Sequence, residues 1–273
     1  MHSLAVSNLA DASRAAVADL RDGFGRYRTA LLFGTQDIMQ RYRRSRVGAF
    51  WLTINQGVLI AALGTIFGAL FGAPMHLFLP HIACGLIFWS FISTAIQDGC
   101  KCFISAQNMI LQVRMPLFMH VMRLMWRETI ILAHNFVIIP IVLVLFMRNP
   151  GLPVLLFPLG LLLVVANLTW IVLVLATICT RYRDLPQVIQ NVLQVAFYAT
   201  PIMWTEDRLP PALQVVLLDF NPLYYMLTVM RAPLLGVVPP VEHYLLVTTL
   251  AVIGWLVAIF FYGRYRWRVA YWL

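Results

Sequence analysis

Six stretches of this sequence run for 19 to 29 residues without Asp, Glu, Lys or Arg: 51–72, 77–96, 129–147, 152–180, 185–205 and 244–263. In hydrocarbon every backbone N–H and C=O must be bonded within the protein, so only helices and closed barrels cross a bilayer. Barrel strands alternate apolar and polar residues over short segments; these stretches do neither. Each exceeds the roughly 17 residues that a helical crossing requires. The whole chain is 61% hydrophobic and 11% charged, whereas about a quarter of a soluble domain is charged. The expected fold is therefore an all-α integral membrane protein with six transmembrane helices. The fourth stretch would be about 43 Å long as a helix, against a core of about 30 Å. It must tilt, or begin outside the core near Pro153 and Pro158. Glu128 is costly at mid-membrane, so the third span is expected to start there, beside Arg123 and Arg127.

Six spans put both termini on one side. Residues 1–50, 97–128, 181–184 and 264–273 hold 17 Lys and Arg, and the alternate loops hold three: Arg148, Arg208 and Arg231. The positive-inside rule makes the first set, and both termini, cytoplasmic. The net charge of +9 is thus a topology signal and not a nucleic-acid footprint. The first 40 residues show no apolar run before a cleavage site, so no signal peptide is expected.

Before the first span, Leu20, Phe24, Tyr27, Leu31, Ile38 and Tyr42 share one helical face. They predict an amphipathic helix over 20–46 lying in the inner interface, with residues 1–19 poorly ordered. Packing of that helix on a partner subunit would give the same pattern. The segment 206–243 contains two apolar pieces too short to span, 212–218 and 223–235, punctuated by Pro210, Pro211, Pro222, Pro239 and Pro240. Two short re-entrant helices on the outer side, before the last span, are expected.

Catalytic chemistry is poorly provided for. Within the spans the notable polar residues are His134 and Asn135, with His76 and His81 near an outer end. No acid pair, His-x-x-x-His or Gly-x-Ser-x-Gly occurs. Cys84, Cys100, Cys102 and Cys179 lack the spacing of a zinc site, so no metal or catalytic residue is assigned. The one lysine, Lys101, stands in Cys-Lys-Cys and not in a phosphate-cradling loop, so any ATPase must be another polypeptide. Gly64, Gly68 and Gly72 form a small-residue ridge that lets a second helix approach closely. The aromatic residues belong either to an interfacial belt or to a pore lined with flat rings.

Several stretches together resemble ABC-2 type permeases of polysaccharide ABC exporters: RYRRSRVGAFWLTI (41–54), GLIFWSFIS (85–93), His134-Asn135, RYRDLPQ (181–187) and TPIMW (200–204). They occur in order across residues 41–204, and the permeases of O-antigen and lipopolysaccharide export are the most similar branch. The resemblance makes 47–273 an ABC-2 type transmembrane domain of the bacterial inner membrane. It implies a homodimer carrying two cytoplasmic ATP-binding subunits, with ATP and Mg in the partner and no cofactor here. The implied cargo is an undecaprenyl-diphosphate-linked O-antigen moved outward. Trp51, Phe67, Phe88, Trp89, Tyr198 and Trp204 become candidates for the channel wall. Arg41, Arg43, Arg44 and Arg46 either meet lipid diphosphate or headgroups, or only obey the positive-inside rule. Asp98, Lys101 and Arg114, around the loop 97–116, become candidates for ATPase coupling. ATP-driven movement of spans one and five would open the path. Capsule or teichoic-type export is the neighbouring alternative. A membrane enzyme acting on polyprenyl-linked glycan is the rival class, with Glu128 as its one available acid.

Overall fold

A computed structural model describes residues 9–43, 47–48, 50–206 and 210–273. Arg44, Arg46 and Arg208 lie outside the described residues, as do residues 1–8. Every regular element described is helical: α1 (Leu9–Gly25), α2 (Tyr27–Tyr42), α3 (Phe50–Phe71), α4 (Met75–Cys100), α5 (Cys102–Ser105), α6 (Gln107–Gln112), α7 (Phe118–Phe136), α8 (Ile138–Leu145), α9 (Phe157–Arg181), α10 (Leu185–Ala199), α11 (Pro211–Gln214), α12 (Pro222–Leu234) and α13 (Val241–Trp272). A 3-10 turn at Leu152–Leu156 leads into α9, and a π turn at Val215–Asp219 extends α11.

Among the described residues, five helical segments are long and apolar enough to cross a membrane: α3, α4, α7 with α8, the 3-10 turn with α9, and α13. The chain is a multi-pass membrane protein. The stretch 185–205 is not among the five. Its helix α10 has 15 residues, about 22 Å, because Thr200 precedes a proline and is driven to φ −92°, ψ 139°. The helix of the third crossing, α7, begins at Phe118, ten residues before Glu128, where the crossing itself is expected to start. Its charges are paired, Arg127 with Glu128 and with Asp98 of α4, and Arg123 with Asp37 of α2. It bends at Val137, because Pro140 has no N–H to give the carbonyl of Phe136.

The N-terminal region also differs from expectation. Residues 9–19 belong to α1, and the amphipathic helix of 20–46 is broken at Arg26 (φ −103°, ψ 23°). In α2, Ala30, Gly34 and Ile38 pack inward on α7. A Cβ on Gly34 would lie 2.6 Å from the Arg123 carbonyl. Phe24, Tyr27, Leu32 and Met39 stay exposed.

Helix α4 is the centre of the core, with α3, α7, α9, α10 and α12 around it. It tolerates Pro80 because Arg148 Nε donates to the His76 carbonyl at 3.3 Å, the acceptor that the proline cannot serve. Helices α9 and α13 are joined by Asn167 Nδ2 donating to Val247 O (3.0 Å) and Trp255 Nε1 donating to Ala166 O (3.2 Å), links suited to helices in lipid.

The glycine ridge is used within the chain, and only in part. Gly64 and Gly68 face Leu79 and Met75, whereas Gly72 (φ 57°) has nothing near its missing side chain and serves to end α3. A Cβ on Gly64 would lie 2.2 Å from Leu79 Cδ1. Because that atom ends a flexible side chain, Gly64→Ala should cost about 1 kcal/mol or less, and Gly64→Ile about 2–3 kcal/mol through overpacking. Denaturation midpoints in detergent would show whether the two variants separate in that order.

Candidate functional site

At the arginine-rich end, α2, α4 and α7 are joined by ion pairs. Arg123 donates Nε to Asp37 Oδ2 at 2.7 Å and Nη2 to Oδ1, a two-pronged bond from α7 to α2. Arg127 donates to Glu128 Oε1 through Nε (2.9 Å) and Nη2 (2.7 Å), and through Nη2 to Asp98 on α4. Glu128 is 1% exposed. Held this way by its neighbour, it serves as the buried counter-ion of Arg127. A second network centres on Asp19 of α1. Its carboxylate accepts from the Phe118 amide (3.1 Å), the Tyr262 hydroxyl (2.7 Å) and Arg266 Nη2 (3.2 Å). The segment 101–116 lies between these networks, with α5 and α6 inside it. Burial pushes the Cys102 thiol up to about 12, so this cysteine is neutral and inert.

The coupling candidates do not form one cluster. Asp98 is tied to Arg127, Lys101 is exposed at the α4–α5 corner, and Arg114 lines a cavity of about 430 Å³ with Asp19, Arg266 and Trp267. Arg41 and Arg43 are exposed at the end of α2.

The aromatic candidates also separate. Phe88 is fully enclosed, 5.7 Å from Phe157, and Trp89 is buried 5.8 Å from Phe197. Both are core residues in this conformation. Phe67 is half-buried against Phe71. Trp51 is exposed on α3, and Tyr198 is 66% exposed at the end of α10. Trp204 donates Nε1 to the Tyr198 carbonyl at 3.1 Å and lines a cavity of about 450 Å³ with Phe78, His81 and Arg148. Beside it a buried arginine organises the opposite end. Arg231 Nη1 donates to the Pro201 carbonyl at 2.5 Å and lies 3.2 Å from His81 Nε2, while Nη2 is 3.7 Å from Glu206. Burial pulls this guanidinium below its ordinary value, with Glu206 opposing. The Tyr224 hydroxyl donates to Glu206 at 2.8 Å, and burial, then that carboxylate, pushes the phenol up.

A profile of the ABC-2 type transporter family matches residues 30–235, from α2 through the end of α12. The chain belongs to the ABC-2 type transporter family. The O-antigen export system permease protein RfbA of Myxococcus xanthus is 25% identical over 214 residues, which is 76% of this chain and 80% of that protein. ABC-2 proteins are the membrane subunits of transporters. Sequence reasoning passed over Asp37, His120 and Glu206 within the matched residues, and Asp19 before them, as functional residues. It used Arg231 only as a marker of sidedness, and Arg123 and Arg127 only for that and as neighbours of Glu128 at the membrane surface. One available signal was scarcity. With 11 acids in 273 residues, each acid placed near a span needs a cationic partner.

Proposed function

We propose that this chain is the permease of an ATP-driven exporter that moves a lipid-linked polysaccharide, an undecaprenyl-diphosphate-linked O-antigen, outward across the bacterial inner membrane. The observation that carries this reading is the similarity to an O-antigen export permease along most of both chains. In this reading the arginine-rich end faces the cytoplasm, in line with the positive-inside rule. Helix α10 and residues 200–205 complete a sixth crossing, and α11 and α12 re-enter from the outer side. Two copies associate and bind two ATPase subunits around Lys101, Asp98 and Arg114, with ATP and Mg held by those subunits. Helix α3 supports the pairing, since it exposes Trp51, Ile54, Val58, Ile66 and Leu70. Helix α10 likewise exposes Val188, Val192, Val195 and Tyr198. These apolar faces suit a second copy or lipid, and Trp51, Phe67, Tyr198 and Trp204 are the aromatic residues placed to meet a moving glycan.

The test is deletion of this gene alone, followed by extraction of polyprenyl-linked glycans. Finished polymer should accumulate on its carrier inside the cell, with none at the surface. Unfinished or missing glycan would overturn the export reading in favour of a role in synthesis. The composition of the accumulated polymer would tell O-antigen from capsule or teichoic-type cargo.

A further inference from the structure

A cavity of about 250 Å³ opens between α2, α5 and α7 at the arginine-rich end, lined by Arg41, Ser105, His120, Arg123 and Arg127, with Asp37 as its carboxylate. Its hydrogen-bonding is one-sided. The carboxylates of Asp37, Asp98 and Glu128 occupy Nε and Nη2 of Arg123 and Arg127. Among the described residues, Nη1 of both has no bond, and the Arg41 guanidinium has none at all. His120 is 2% exposed, and both its ring nitrogens are buried without a partner. Buried polar groups are rarely left unbonded, and here an imidazole and three guanidinium groups border one space. The ion pairs hold Arg123 and Arg127 in place without filling it.

An occupant that answers these donors is small, rich in acceptors and, beside the unpaired Arg41, anionic. Phosphate meets all three demands: its oxygens outnumber those of a carboxylate, and guanidinium geometry matches it. A cation would face the unpaired Arg41 and the unbonded Nη1 groups of Arg123 and Arg127. We propose that this cavity binds a phosphate group, carried by a membrane-lipid headgroup or free in solution. Occupancy would tie Arg41 of α2 and Ser105 of α5 to α7, and so join the N-terminal helices to the start of the segment 101–116. This inference is independent of the cargo.

The test uses the full chain in maltoside micelles, which contain no phosphate. One arm titrates inorganic phosphate and pyrophosphate, followed by calorimetry. The other adds phosphatidic acid and counts retained lipid by native mass spectrometry. Saturable one-site binding is expected in at least one arm, weakened about tenfold or more by Arg41→Gln and by His120→Asn, and unchanged by Arg28→Gln, an exposed arginine of α2 outside the cavity. Binding in the first arm alone identifies a free-anion site, and in the second alone a headgroup site. No saturable binding in either arm, or equal effects of Arg41→Gln and Arg28→Gln, overturns the proposal. His120→Asn can fail to fold, whereas Arg41 is exposed and its variant keeps the test decisive. Because no transport is measured, failure here leaves the export reading standing. Failure of the deletion experiment likewise leaves a positive binding result intact.

Discussion

Replacing Asp19 with Ala is expected to release α1 from the rest of the protein and to cost about 3 kcal/mol, the lower end for breaking a buried ionic network. Asp19 is 5% exposed and joins three elements. It takes the amides of Leu117 (3.4 Å) and Phe118 (3.1 Å) at the start of α7, and the Tyr262 hydroxyl and Arg266 on α13. Those amides are among the donors that a helix start leaves unbonded, and a carboxylate there also suits the helix dipole. Arg266 sends its other nitrogen to the Ala15 carbonyl at 2.6 Å. A Cβ on Gly263 would lie 2.4 Å from the Ala12 carbonyl, so the two helices touch at the backbone. Asp19→Ala strands the Tyr262 hydroxyl and both amides. Asp19→Asn keeps acceptors but loses the charge, and should cost about half as much. Asp11→Ala removes an exposed pair with Arg14 and should change little. The local readout is tryptic cleavage after Arg26, where α1 meets α2. Asp19→Ala should accelerate it well beyond Asp11→Ala, and equal cleavage rates with unchanged denaturation would show that apolar packing alone holds α1.

The crossings were legible because their signal is collective: some twenty consecutive residues without charge admit few folds. Their ends were not, because each depends on one or two local groups. Glu128 marks a membrane surface only when its cost is counted alone. Its pairing with Arg127 offsets part of that cost, and α7 begins ten residues earlier, at Phe118. At the other extreme, Thr200-Pro201 stops α10 after 15 residues, although the composition continues apolar to Thr205. The helical face drawn through Leu20 to Tyr42 failed for a related reason. It assumed one continuous helix, and a single non-helical residue, Arg26, rotates everything before it relative to everything after.

The candidate sites were less legible, because residue class carries less information than partnership. Phe88 and Trp89 have the chemistry of a glycan-contacting wall, yet both are core residues around α4. Arg41, in contrast, was named together with Arg43, Arg44 and Arg46, with nothing to separate the four. Its distinction from Arg43 is that it borders the cavity holding His120. Nothing in the sequence places residue 41 beside residue 120. Arg231 is the same case across a separation of 150 residues from His81.

At that opposite end, Arg231→Leu is expected to loosen residues 200–206 and α12 together, at a cost of about 3 kcal/mol. The arginine is the common partner of the Pro201 carbonyl, His81 on α4 and Glu206. Leucine leaves that carbonyl without a donor, and Glu206 with only Tyr224 from the set. Glu206 is partly exposed, so water can take over some of its charge, and Glu206→Gln alone should cost about 1 kcal/mol. The two changes together should cost less than their sum by about 1 kcal/mol, because the pair no longer leaves one charge behind. Arg231→Lys should recover little, since one ammonium cannot present the planar fork that reaches all three acceptors. Hydrogen exchange across 200–206 and 222–234 is the discriminating measurement. Faster exchange in both segments for Arg231→Leu, but not for Asp19→Ala, would establish a latch local to this end. Unchanged exchange would mean that the apolar contacts of Leu227, Met230 and Leu234 hold α12 without the arginine. The position of α12 would then be set by the core around α4 rather than by a charge that a passing ligand can displace.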